Sequence, residues 1–198
     1  MDLTSLLSSP IGQGVIQTVS SQLGMNQKQA SSAVNVAVPA ILAGLMKNAR
    51  TSQGAESLNK ALESKHDGSL LDNLAGLFQS QSGALQQDGN SILEHIFGSN
   101  RAAVEKGVAQ QSGLSLDKVK PLLAILAPIV MAYVGKQKRQ SKTASGGLGD
   151  LLGGLLSAGA PSKKVSGGLL DAVGGLLGGG SKKSSGGLID DILGGLLK

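Results

Sequence analysis

Fifteen consecutive residues, Pro121–Gly135, read PLLAILAPIVMAYVG and carry no charge. A run this apolar has two destinations, the inside of a folded domain or a membrane. A helix rises 1.5 Å per residue, so the run reaches roughly 23 Å, short of the ~30 Å hydrocarbon core of a bilayer. Lys120 and Lys136 bound it closely. A helix that is apolar all round at this length belongs at the centre of a helical domain. The run therefore predicts a buried central helix, with a membrane hairpin as the competing reading.

The residues that cover such a helix set the fold class. Aromatic residues make up 2% of the chain, namely Phe78, Phe97 and Tyr133, while hydrophobic residues make up 40%. A core of Leu, Ile, Val, Ala and Met suits close helix packing better than a sandwich or barrel. The expected fold is all-α: a compact multi-helix domain over 1–140, followed by a Gly/Leu-rich low-complexity tail over 141–198.

Helix starts and stops can be read locally. Ile92, Leu93, Ile96 and Phe97 fall at helical spacing and Gly98 follows as a stop. A helix is expected from about Asn100 to Ser112, ending at Gly113. Ser115 then stands as an N-cap with Asp117 in the first turn, and the next helix runs to Lys138. Pro128 inside it is expected to kink it. Residues 15–50 resemble 104–139 at an offset of 89: Gly24 aligns with Gly113, Pro39 with Pro128, Lys47 with Lys136 and Arg50 with Arg139. Two similar helical halves, from an internal duplication, are thus an open alternative. Ala55–Lys65 and Leu70–Phe78 read as shorter amphipathic helices. Residues 79–90, rich in Gln, Ser and Gly, read as a loop.

The string Ile92-Leu93-Glu94-His95-Ile96-Phe97-Gly98, then Gly113-Leu114-Ser115, then Leu126-Ala127-Pro128-Ile129-Val130-Met131, resembles the YidB-like bacterial family, domain of unknown function 937. The resemblance covers roughly residues 1–140. It implies a small all-α bacterial domain. It implies no reaction and supplies no catalytic residue.

The tail repeats three times. Residues 146–157 read GGLGDLLGGLLS, 167–178 read GGLLDAVGGLLG, and 186–198 read GGLIDDILGGLLK. Leu148, Leu151, Leu152, Leu155 and Leu156 form a helical stripe in the first block. Leu169, Leu170, Val173, Leu176 and Leu177 are the apolar residues of the second, and Leu188, Ile189, Ile192, Leu193, Leu196 and Leu197 those of the third. Each internal Gly costs ~1 kcal/mol of helix stability against Ala, and an isolated helix this short is marginal. The tail is expected to be disordered alone and helical when docked. Three roles follow: a flexible low-complexity extension, self-association or docking on another protein, or interfacial contact with a membrane through the apolar stripes and lysine spacers.

Charge separates the same two regions. Acids and bases balance through residue 135, and nine Lys/Arg against four Asp/Glu beyond it account for the net +5. Lys136, Lys138, Arg139 and Lys142 form a basic cluster that offers non-specific phosphate contact. No aromatic stacking platform accompanies it, so specific nucleic-acid binding is not expected. The solvated end of a helix explains the cluster as well.

Searches for chemistry find little. There is no Cys, which removes disulfides, thiolate nucleophiles and Cys-based metal sites together. His66 and His95 lack a second ligand at i+3 or i+4. His66 falls at an expected helix end, where a cation is favoured. Both histidines read as structural or solvated. No G-x-S-x-G occurs, and Gly147-Leu148-Gly149 lacks the strand and Lys of a phosphate loop. The expectation is a non-enzymatic interaction or structural protein. No cofactor, metal or small-molecule substrate is anticipated, and its partner is another protein or itself. The first residues show no basic start and no apolar run, so a cytoplasmic location is expected.

Overall fold

The computed structural model describes residues 9–143 and 147–158. Among the described residues there are seven α-helices and no strand: α1 (Pro10–Leu23), α2 (Gln27–Ala49), α3 (Ser52–Ser64), α4 (Leu74–Phe97), α5 (Arg101–Ser112), α6 (Leu116–Ser141) and α7 (Leu148–Ala158). Short 3-10 turns at Ser69–Asn73 and Gly98–Asn100 precede and follow α4. The fold is all-α, as the composition implies.

Local signals set most of the ends. Ser9 accepts a hydrogen bond from the Gly12 N–H and Pro10 opens α1, where its missing donor is harmless. Gly24 closes α1 and Gly113 closes α5, both left-handed at φ +57° and +71°. Asn26 and Gln29 form a reciprocal capping box at the start of α2. Ser115 holds the cap position of α6, but its hydroxyl makes no capping bond. The same helix–glycine–helix order thus occurs at α1–α2 and at α5–α6.

The apolar run is the centre of the domain. Every residue from Leu122 to Gly135 on α6 is buried. α6 touches each of the other six α-helices, and so does α2. α2 manages this with small residues: Ala30, Ala33, Ala37 and Ala40 are all essentially inaccessible, which lets neighbours approach closely. Both helices continue through their internal prolines, Pro39 in α2 and Pro121 and Pro128 in α6. Each buried Leu, Ile or Val contributes ~1.5–3 kcal/mol relative to exposure.

The expected loop at 79–90 is not a loop. It lies inside α4, which kinks at Gln81 (φ −135°, ψ 27°) and is helical on either side. Packing overrides the weak helix propensity of this stretch. Phe78, Leu93, Ile96 and Phe97 are buried and Leu85 and Ile92 pack against the same core. Gly89 is placed so that any Cβ would run into the backbone carbonyl of Ala124 on α6. Its lack of a side chain, read from sequence as a turn signal, serves the close approach of two helices.

Candidate functional site

Two features stand out, a cleft and a docked helix. The cleft lies among α2, α3, α4 and α6 and has a volume of about 520 Å³. Leu45, Leu58, Ile92 and Ile96 supply apolar walls, and both histidines of the chain reach it together with Asp88. His66 follows the end of α3 and is only 5% exposed, with Nε2 3.6 Å from Asp88 Oδ2. Burial pushes its pKa below the ordinary 6.5, Asp88 pulls it back up, and Lys65 pushes it down again. The helix-end cation expected at His66 is therefore disfavoured, because loss of solvent outweighs the other effects. His66 Nδ1 is buried without a hydrogen-bond partner.

His95 is exposed, one turn beyond Ser91, whose carbonyl lies 3.1 Å from His95 Nδ1. A hydrogen bond there places the proton on Nδ1 and leaves Nε2 as the basic nitrogen. Two of the three hydroxyl side chains lining the cleft are engaged with backbone: Ser91 donates to the Gln87 carbonyl at 3.2 Å and Thr51 to the Asn48 carbonyl at 3.3 Å. Neither of these two hydroxyls is held by a histidine in these bonds, as an activated nucleophile would be. Among the described residues no group of three or more His, Asp or Glu is placed to hold a metal ion. A loop at 79–90 would have separated Asp88 from His95 and hidden the helix edge that they share. With α4 continuous, Asp88 and His95 stand two turns apart on one side.

The docked helix is the first tail block. α7 lies chiefly on α2 and also touches α3 and α6. Leu148, Leu152, Leu155 and Leu156 are buried in the core cluster, and Leu151 packs at its edge. The apolar stripe read as an interaction surface is thus covered here by the chain's own domain. Leu169, Leu170, Val173, Leu176, Leu177, Leu188, Ile189, Ile192, Leu193, Leu196 and Leu197 lie outside the described residues.

The basic cluster is largely neutralised. Lys138 is buried and its Nζ sits 2.6 Å from Glu63 Oε1. Lys136 lies 3.8 Å from Asp72, and Arg139 lies 3.2 Å from Asp67. Hydrogen bonding from Lys138, then its charge, holds the Glu63 pKa below its ordinary value. Asp67 is lowered mainly by hydrogen bonds from Ser69, with Arg139 a smaller contributor. Lys142 is exposed and ends α6 in a left-handed conformation.

Two helices, α2 and α6, are long and apolar enough to cross a membrane. Their most apolar windows are 61% and 83% buried within the domain, as core helices would be.

The model of a family of bacterial proteins of unknown function, DUF937, matches residues 5–137. The chain belongs to this family. The DUF937 region takes in α1 to α5 and nearly all of α6, and stops before α7. No curated protein and no solved structure matches the chain.

Proposed function

We propose that this DUF937 protein is a non-enzymatic interaction module of the cytoplasm, whose helical domain receives Gly/Leu-rich amphipathic helices. The observation that supports this reading is α7 itself. A segment beyond the family region lies on α2 with four leucines buried. A surface that accepts one such helix is a binding surface for that kind of helix. The remaining readings have less behind them. The α7 stripe faces protein rather than a lipid interface, and three of the four clustered cations are paired with acids. In the cleft, the hydroxyls of Thr51 and Ser91 bond to backbone carbonyls rather than to a histidine.

The test uses the full-length chain carrying Leu155→Asp, Leu176→Asp and Leu196→Asp, in which every stripe is broken. A fluorescent peptide of residues 146–158 is titrated into it and into the unaltered chain. Saturable binding to the variant, and weaker binding to the unaltered chain with its surface occupied, is the expected result. Equal binding to both, or none to either, refutes the reading.

A further inference from the structure

The four residues that α7 buries, Leu148, Leu152, Leu155 and Leu156, fall at positions 0, 4, 7 and 8. The other two tail blocks contain the same register. In the second it is Leu169, Val173, Leu176 and Leu177, and in the third Ile189, Leu193, Leu196 and Leu197. The agreement extends to the residues α7 does not bury. Asp150 is exposed, and Asp171 and Asp191 stand at its position. Gly153 and Gly154 have nothing within 4 Å of a would-be Cβ, and Gly174-Gly175 and Gly194-Gly195 stand at theirs. The repeat therefore preserves the docking face of α7 rather than apolar composition alone.

One surface among the described residues accepts the stripe, and each chain has three copies of it. A surface holding one helix cannot hold the other two copies at the same time. We propose that the second and third blocks of one copy dock on the α2 surface of another copy in place of that copy's α7, so that the chain associates with itself. This rests on the reading of the domain as a receiver of Gly/Leu helices.

Reach and concentration decide when this happens. Residues 157–168 separate the first two stripes, a spacer of 12 residues that spans up to about 40 Å when extended. That is enough to leave one small domain and meet the next. A tethered block competes at an effective concentration in the millimolar range. The closed single chain therefore prevails when dilute, and exchange between copies grows with concentration. The third block keeps large side chains at all four positions, whereas Val173 is smaller than its counterparts. Leu196→Asp should consequently weaken association more than Leu176→Asp.

Sedimentation velocity of the full-length chain, from micromolar to millimolar, tests the proposal. The average mass is expected to rise with concentration. Leu176→Asp/Leu196→Asp, altered only outside the described residues, should stay monomeric throughout. Leu155→Asp empties the surface and should raise association at a given concentration. Adding the two tail substitutions to it should abolish that gain. A mass that stays monomeric in both the unaltered chain and Leu155→Asp overturns the proposal, as does association that survives Leu176→Asp/Leu196→Asp. If the 146–158 peptide binds while those tail substitutions change nothing, the receiving surface stands and self-association alone falls.

Discussion

His66 joins two facts that sequence reading treats separately, an ionisable ring and a buried place beside Asp88. Its pKa lies below 6.5 in the folded chain because burial outweighs the attraction of Asp88. As pH falls through 6.5, the unfolded chain takes up a proton that the folded one resists. The His66 contribution to stability is thus fully present above that pH and declines below it, until the folded pKa is reached. Glu63 and Asp67 also have lowered pKa values, but as acids they act in another window. Their contribution holds above the ordinary 4.5 and 3.8 and is lost only in stronger acid. Urea midpoints measured on both sides of pH 6.5 should therefore fall on acidification, and His66→Gln should flatten that fall. An unchanged slope in the variant would remove His66 from the account. Lys138 teaches a related lesson. Its position in a basic run suggests a solvated helix end, yet it is buried against Glu63, 75 residues away in sequence. No local pattern carries a pairing of that separation.

The glycines of α7 define what kind of element it is. Gly149, Gly153 and Gly154 lie in open space, so packing does not require them. They weaken the helix, by ~1 kcal/mol each relative to Ala, and so hold it to conditions where its leucines are covered. Gly153→Ala and Gly154→Ala should each stabilise docked α7 by about that amount, read as slower amide exchange across the helix. Exchange that stays the same or quickens would mean the glycines contact something. α4 is the opposite case, a helix made from residues that favour turns. Phe78, Leu85 and Ile92 recur every seven residues across the Gln/Ser-rich stretch, and that spacing was the available signal. The Gln, Ser and Gly between those residues mask the period, and with it the edge that brings Asp88 and His95 to the cleft.

At the scale of the molecule, the two helices most like membrane spans among the described residues are the two that touch every other described α-helix. The domain spends its most apolar segments on its own centre. Residues 1–135 carry equal numbers of acids and bases, and the net +5 lies beyond them, in a tail whose first stripe is already occupied. A block of 12 residues reaches about 18 Å as a helix, too short to span. Full-length chain mixed with anionic vesicles at physiological salt should accordingly remain unbound on flotation, with Leu176→Asp/Leu196→Asp behaving the same. Flotation lost on those substitutions would move the second and third blocks from protein partner to lipid interface.

From its sequence alone, this chain reads as helical, with helix stops at Gly24, Gly113 and near Gly98 and with nearly all of the run from Pro121 to Gly135 removed from water. Those features depend on a few neighbouring residues: a backbone that turns left-handed, a side chain that caps, an apolar stretch that leaves water. Tertiary structure alone decided that α4 is helical on both sides of its kink at Gln81, that Lys138 meets Glu63, that His66, Asp88 and His95 share one cleft, and that the first Gly/Leu block settles on α2. Each of these is a contact between distant parts of the chain. Burial repays such a contact only when the partner surface is already formed, and local sequence holds no record of that surface.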